Sequence, residues 1–145
     1  MNTVIFACVH SAGRSQMASA FFNVIADADR VRSIAAGTKP TERVHPEVVQ
    51  VMRDVGVDLS TATPRRLTEG LAKDAALIVT MGCGEACPFV PGLERIDWAL
   101  PDPKGLPPER VRAIRDEIRR HVAELVTARG WLRQTSPQDR RDAQR

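Results

Sequence analysis

The 145-residue chain contains no tyrosine and few other aromatic residues, which together make up 4% of it. Proteins that bind nucleic acids often place aromatic side chains among basic ones, and no such stripe is present. No apolar run approaches the ~20 residues needed to cross a bilayer. The short apolar stretch Val4–Val9 follows no basic segment, unlike the start of a secretory signal. We therefore expect no nucleic-acid partner, no membrane partner and a cytoplasmic location.

Strong net charge is also missing from most of the chain. The formal net charge is +3, and residues 133–145 supply two of these charges through four arginines against two aspartates. Apart from these residues the chain is nearly neutral, so the calculated pI of 9.1 does not indicate a polyanionic partner. The length and the 43% of hydrophobic residues predict one domain over residues 1–132, followed by a disordered basic tail over 133–145.

Cysteine is scarce, with three residues in the chain: Cys8, Cys83 and Cys87. An odd number in a reducing compartment argues against a static disulfide framework. The composition leaves three alternatives open, in which these thiols are reactive, bind a metal or are simply buried.

Hydrophobic periodicity predicts strands that alternate with helices. The predicted strands are residues 3–8, 31–36, 75–81 and 95–98. The predicted helices are residues 14–28, 45–55, 67–74 and 108–129. Alternation of this kind indicates an α/β fold, with a parallel sheet and helices on both faces. Ligands of such sheets bind beyond the carboxyl ends of the strands, where Cys8, Cys83 and Asp102 would share one edge.

The stretch FACVHSAGRSQ joins the first strand to the first helix and contains a C-x5-R pattern. Gly13 permits a tight turn, so that successive backbone N–H groups can converge on a tetrahedral anion at the helix N-terminus. Arg14 adds a planar fork for two oxygens of that anion. The same positive field favours Cys8 as a nucleophilic thiolate, and the Ser15 hydroxyl is able to donate to its sulfur. The alternative is a buried Cys8 beside a solvated Arg14.

Four segments together resemble the arsenate reductase branch of the low-molecular-weight protein tyrosine phosphatase family: CVHSAGRSQMA (8–18), SIAAGTKP (33–40), VTMGCGEACP (79–88) and DWALPDP (97–103). The resemblance extends from residue 3 to about residue 130. It implies a three-layer sandwich with a four-stranded parallel sheet and flavodoxin-like winding. It also implies that arsenate, or a phosphate-like oxyanion, is bound by a loop of six residues: His10, Ser11, Ala12, Gly13, Arg14 and Ser15.

The resemblance further implies the chemistry. Cys8 attacks arsenate, while Asp102, which lies between Pro101 and Pro103, is similar to the family's general acid. Cys83, flanked by glycines, is then the thiol that attacks the Cys8 sulfur, and Cys87 carries the disulfide outward. No cofactor or metal is bound, and an external thiol regenerates the enzyme. That reductant is either thioredoxin, or mycothiol or glutathione with a glutaredoxin-type protein. The short C-x3-C spacing resembles members that use a small thiol such as mycothiol.

Several alternatives remain open. The main one is a phosphomonoesterase of the tyrosine phosphatase type, which uses the same Cys8, Arg14 and Asp102. Against it, Lys104 and Gly105 follow Pro103 where such phosphatases usually have aromatic residues, which favours a small inorganic oxyanion as substrate. The others are an oxyanion sensor without turnover, a zinc site formed by the three cysteines and His10, and Asp102 as a simple turn residue.

For five further residues near the motifs, we expect the following roles or positions. Ser11 replaces the asparagine that usually braces the family's loop. His10 either influences Cys8 electrostatically or points to solvent. Trp98 is expected to pack in the core or a lid, His45 and His121 to be structural or exposed, and Lys39 to be a turn residue.

Overall fold

The computed structural model describes residues 2–82 and 90–133, so Cys83, Cys87 and the predicted tail beyond Arg133 lie outside the described residues. The strands are β1 Asn2–Cys8, β2 Val31–Gly37, β3 Leu77–Thr80 and β4 Glu94–Asp97. The helices are α1 Arg14–Ile25, α2 Pro46–Arg53, α3 Glu69–Lys73 and α4 Pro108–Ala128. The eight predicted elements are confirmed, with ends that shift by a few residues. Helix α1, for example, stops before residue 28 because Ala26 is extended and pairs with Leu132.

All four strands form one parallel sheet in the order β2-β1-β3-β4, which confirms the predicted α/β architecture and winding. Strand β1 is central and pairs with β2 on one side and β3 on the other. At its carboxyl end Cys8 lies opposite Gly37, and Ala7 lies opposite Thr80. The strand order reverses direction at β1, which is where sheets of this kind bind ligands.

Side chains of β1 alternate between two cores. Val4, Phe6 and Cys8 belong to the larger core, which also contains buried residues of α1, α2 and α4. Ile5 and Ala7 belong to the smaller core on the opposite face, against which Leu71 of α3 packs. The molecule therefore has three layers, and the Cys8 side chain lies on the same face of the sheet as α1.

Trp98 is part of the larger core, as the sequence predicts. Its ring lies 5.8 Å from the Phe6 ring and stacks on the His121 ring of α4 at 5.0 Å between centroids. Phe6 in turn meets Phe22 of α1 edge to face at 5.7 Å. These rings join the middle of β1 to both α1 and α4 directly below the carboxyl edge of the sheet.

Strand β2 forms one edge of the sheet, and the side chain of Asn23 from α1 covers part of that edge. The Asn23 Oδ1 accepts a hydrogen bond from the Ser33 backbone N–H at 2.9 Å, and its Nδ2 donates to the Ser33 carbonyl at 3.1 Å. Ser33 also contacts the Ser19 hydroxyl at 2.9 Å. This polar group replaces the hydrogen bonds that a further strand would supply.

We expect Asn23→Ala to lower the free energy of unfolding by about 1–2 kcal/mol, because the backbone groups of Ser33 lose both side-chain partners. Urea denaturation followed by circular dichroism measures this change. The control is Val24→Ala at the neighbouring position, where the side chain is 56% exposed, and it should change stability by less than ~0.5 kcal/mol. Equal effects of the two substitutions would contradict this role of Asn23.

Candidate active site

Cys8 ends β1 with its side chain buried beneath the first turn of α1. It is 2% exposed, and its Sγ lies 3.1 Å from the Oγ of Ser15. A hydroxyl at this distance is able to donate a hydrogen bond to a thiolate and stabilise its charge. The contact follows from the local chain path, because residues 9–13 form the loop that turns from β1 directly into α1.

The carbonyl groups of the loop all point away from its centre. Each of the six carbonyls from Cys8 to Gly13 accepts a hydrogen bond from a donor in another segment or in α1. In order, the donors are Thr38 N (3.3 Å), Lys39 N (2.8 Å), Thr41 N (3.2 Å), Gln16 Nε2 (2.9 Å), His45 N (2.9 Å) and Met17 N (3.0 Å). In a planar trans peptide the N–H group points opposite to the C=O group, so the loop N–H groups face inward.

These inward N–H groups form a concave set of hydrogen-bond donors. Within residues 2–82 and 90–133, no protein acceptor pairs with the backbone N–H groups of residues 10–13. The set leads into the N-terminus of the 12-residue helix α1, where the helix dipole adds positive potential. Buried backbone donors need acceptors. A tetrahedral oxyanion supplies several at once.

Gly37 at the end of β2 lets the loop approach the sheet closely. A Cβ at this position would lie 2.6 Å from the Val9 carbonyl oxygen and 2.7 Å from the Ser11 backbone nitrogen. Both atoms belong to the backbone, so neither is able to move aside without deforming the loop. Glycine is therefore required here for space, a requirement that the sequence pattern did not reveal.

Ser11 is buried within the loop and adopts a left-handed backbone conformation, with a φ of 52°. Its Oγ lies 3.4 Å from the Arg65 backbone N–H and 3.3 Å from the Nε2 of Gln16, both of which donate to it. The shorter serine side chain thus braces the loop through a backbone partner from another segment. Serine at this position therefore still gives the loop a side-chain support.

Arg14 begins α1 and is 7% exposed, so the alternative of a solvated arginine is wrong. Its Nη1 donates to the Leu100 carbonyl at 2.9 Å. Gly82, with a φ of +90°, lies against the guanidinium, and the space of a Cβ there is already occupied by Arg14 atoms. Among the described residues no carboxylate forms an ion pair with Arg14. A buried cation requires a counter-charge, which a bound oxyanion supplies.

The loop that carries Asp102 packs directly on the loop of residues 9–13. Pro103 is buried against Gly13, where an added Cβ would come within 2.9 Å of the proline Cγ. Asp102 itself is exposed, and its Oδ1 accepts a hydrogen bond from the Lys104 backbone N–H at 3.0 Å. Asp102 is therefore a turn residue in geometry, and the same turn places it at the rim of the loop.

Two histidines lie beside this rim. The His10 and His45 rings are 6.3 Å apart, and both residues are half-buried. Burial lowers the pKa of His45 below its usual value, while the carboxylates of Glu47 and Asp102 oppose that shift. His45 also braces the loop through its backbone N–H. The structural role expected for it is therefore correct, but its position beside the loop was missed.

The structure thus brings Cys8, residues 10–15 and the Asp102 turn together at one edge. Lys39 is exposed and contributes through its backbone, as expected of a turn residue. Three further supports of the site were not apparent from the sequence: Gln16, Arg65 and the Leu100 carbonyl. Among residues 2–82 and 90–133, no cluster of three or more histidines, cysteines or acidic residues is arranged to hold a metal. Within the same residues, no helix is both long and apolar enough to span a membrane.

We expect Gly37→Ala to weaken phosphate binding by about tenfold or more, because the new methyl group displaces the Val9 and Ser11 peptides. Isothermal titration calorimetry with inorganic phosphate measures this affinity. Gly70→Ala is the matched control, because a Cβ at that helical glycine meets nothing closer than 3.8 Å. Unchanged phosphate affinity in a folded Gly37→Ala protein would contradict the proposed support by Gly37.

Known proteins that resemble this chain include several arsenate reductases. The putative arsenate reductase of Halobacterium salinarum is 40% identical over 124 residues, which cover 83% of this chain and 87% of that protein. The glutaredoxin arsenate reductase of Synechocystis is 31% identical over 129 residues, covering 87% of this chain and 97% of that protein. The structure of the thioredoxin-dependent arsenate reductase of Corynebacterium glutamicum superposes with a TM-score of 0.76 at 36% identity, covering 88% of this chain.

The chain spans 61% of the length of the Corynebacterium glutamicum protein, so that protein has further residues without a counterpart in the match. Residues 3–135 match the low molecular weight phosphotyrosine protein phosphatase family over nearly the whole chain. The motifs, the sheet order and the loop geometry agree with this match. The chain therefore belongs to the low molecular weight phosphotyrosine protein phosphatase family, alongside relatives that are named arsenate reductases.

Proposed function

We propose that this protein reduces arsenate to arsenite in arsenic detoxification, with the Cys8 thiolate as the nucleophile. The observation that carries the proposal is the loop of residues 8–13, whose six carbonyls are bound from outside while its N–H groups face inward beside Cys8 and Arg14. This concave set of N–H donors, which we call the cradle, fits a tetrahedral oxyanion such as arsenate. The relatives named arsenate reductases support arsenate as the substrate.

In the first step the Cys8 sulfur attacks the arsenic of arsenate, and an As–S bond forms as one As–O bond breaks. The oxygen leaves as water after it accepts protons, and Asp102 donates one of them as general acid. Arg14 and the loop N–H groups stabilise the remaining oxygens throughout, because both are donors that stay in place as charge moves. The Ser15 hydroxyl stabilises the Cys8 thiolate before the attack.

The second step reduces arsenic. The Cys83 thiolate attacks the Cys8 sulfur, a disulfide forms, and the electron pair of the As–S bond passes to arsenic, which leaves as arsenite. Cys87 then attacks Cys83 and releases Cys8, so that the oxidised pair is Cys83–Cys87. An external thiol reduces this pair and returns the protein to its starting state. The roles of Cys83 and Cys87 rest on the sequence resemblance alone.

The reductant is a thiol. Thioredoxin and a glutaredoxin-type system each serve a relative, as the names of the Corynebacterium glutamicum and Synechocystis proteins state. The C-x3-C spacing of Cys83 and Cys87 resembles that of family members that use a small thiol such as mycothiol, so the reductant of this protein is either thioredoxin or a small thiol. A reducing cytoplasm provides either reductant and also keeps Cys8 as a free thiol.

A phosphomonoesterase is the second candidate, because Cys8, Arg14 and Asp102 would serve equally in phosphate-ester hydrolysis. Hydrolysis would end with water attacking a cysteinyl phosphate and would not need Cys83 or Cys87. The turn after Asp102 continues with the exposed Lys104 and Gly105, without an aromatic side chain to hold an aryl ester. This difference favours the inorganic oxyanion.

We expect Cys8→Ser to abolish arsenite formation, with a fall of roughly a thousandfold or more, because serine is a far weaker nucleophile than a thiolate. The assay supplies arsenate with a thioredoxin system and, separately, with a low-molecular-weight thiol. Phosphate binding by the same variant is the control, since an intact cradle should still bind the anion. Thiol-independent hydrolysis of p-nitrophenyl phosphate at a comparable rate would instead indicate a phosphatase, and stoichiometric arsenate binding without product would indicate a sensor.

The relay predicts different outcomes for the two later cysteines. Cys83→Ser should stop arsenite release with thioredoxin, because the thiol that attacks the Cys8 sulfur in the relay is missing. Cys87→Ser should allow one turnover and then accumulate the Cys8–Cys83 disulfide, which mass spectrometry of alkylated peptides detects. With a small thiol both variants retain activity if that thiol attacks the adduct directly. Unchanged rates for both variants with both reductants would contradict the relay.

A further inference from the structure

The turn that carries Asp102 is held at two points on different elements. Pro103 packs on Gly13 of the anion-binding loop, as described above. Two residues further along, the Gly105 backbone N–H donates a hydrogen bond of 3.1 Å to the Oε1 of Glu47 in α2. The two partners are 58 positions apart in the chain, so this contact depends on tertiary structure.

Glu47 is suited to hold this turn. It occupies the first turn of α2, directly after Pro46, and is half-buried. Its carboxyl oxygen is a good acceptor for a backbone N–H, and the contact spans from α2 to the Asp102 turn. Helix α2 is itself anchored to the loop, because the His45 N–H donates to the Ala12 carbonyl one residue before the helix begins.

Gly105 is suited to receive the contact. It has a φ of +74°, a left-handed conformation that glycine adopts readily, and its N–H meets α2 at the end of the Asp102 turn. The Asp102 Oδ1 already accepts the Lys104 N–H, which fixes the carboxylate relative to the turn. The contacts that hold this turn against the cradle therefore also hold the Asp102 carboxylate in a set position beside it.

We propose that Glu47 is a positioning residue for the reaction: through Gly105 it holds the Asp102 turn over the anion-binding loop, so that the carboxyl group faces the leaving oxygen. The inference rests on the proposed function, in which Asp102 is the general acid. Glu47 acts on the proton-transfer step and not on oxyanion binding, because none of the six donors to the loop carbonyls belongs to it.

The test compares Glu47→Ala, which removes the acceptor, with Glu47→Gln, which keeps an oxygen acceptor but removes the charge. We expect Glu47→Ala to lower kcat for arsenite formation about tenfold, the scale of one hydrogen bond. The inhibition constant of phosphate should stay within about twofold, because the cradle is unchanged. Glu47→Gln should recover most of kcat, although it also removes the charge that acts on His45.

The matched control is Glu109→Ala. Glu109 follows Pro108 in the first turn of α4 just as Glu47 follows Pro46 in α2, but it is exposed and lies on another element. In Glu109→Ala both kcat and the inhibition constant of phosphate should equal those of the unsubstituted protein. Hydrogen exchange of the Gly105 amide, followed by NMR without substrate, gives a readout independent of activity and should accelerate in Glu47→Ala only.

Three outcomes overturn the inference: an unchanged kcat in Glu47→Ala, an equal fall in Glu47→Gln, or a parallel loss of phosphate affinity. An equal fall in Glu47→Gln would mean that the charge of Glu47 causes the loss of kcat. A parallel loss of phosphate affinity would mean that the substitution disturbs the loop itself. Failure of the proposed function looks different, because the unsubstituted protein would then form no arsenite with either reductant. In that event the amide exchange of Gly105 still tests the contact with Glu47.

Discussion

The site depends on one constraint, which is that every carbonyl of the loop from Cys8 to Gly13 is bound by a donor outside the loop. This arrangement turns the peptide N–H groups inward, where they would be costly to bury without an acceptor. Arg14 adds a buried cation whose bonded protein partner is the neutral Leu100 carbonyl. Folding therefore arranges a concave set of hydrogen-bond donors that is suited to an oxyanion, and the stability of the fold maintains this arrangement.

The supports come from every side of the sheet edge. Backbone N–H groups of the segment after β2 donate to carbonyls at the start of the loop. The N–H of His45, directly before α2, donates to a carbonyl near its end, and the N–H of Arg65, in a third segment, donates to the Ser11 hydroxyl. Gly37 and Gly82 provide the space in which the loop and the Arg14 guanidinium fit closely. Because these supports belong to a rigid parallel sheet, the donors need little reorganisation when an oxyanion is bound, which is the condition for electrostatic catalysis.

In the proposed mechanism the nucleophile and the acid are held by different parts of the fold. Cys8 is buried and held by the sheet and by Ser15, whereas Asp102 is exposed on a turn that two contacts fasten to the loop and to α2. This division suits the two stages of the proposed reaction. The oxyanion must be held firmly while arsenic is attacked, and a second thiol must afterwards reach the sulfur adduct.

Apolar periodicity was enough to predict the layered α/β fold, because it reports local strands and helices, and a helix between successive strands provides the crossover connection that parallel pairing needs. The sequence also placed a thiol, an arginine and a serine at one loop, since all three lie within a single strand-to-helix turn. The folded structure alone shows that Gly37 must lack a side chain, that Arg14 bonds a carbonyl 86 positions away, and that Glu47 fastens the Asp102 turn. These contacts join segments whose proximity depends on strand order and packing, which local residue patterns do not specify.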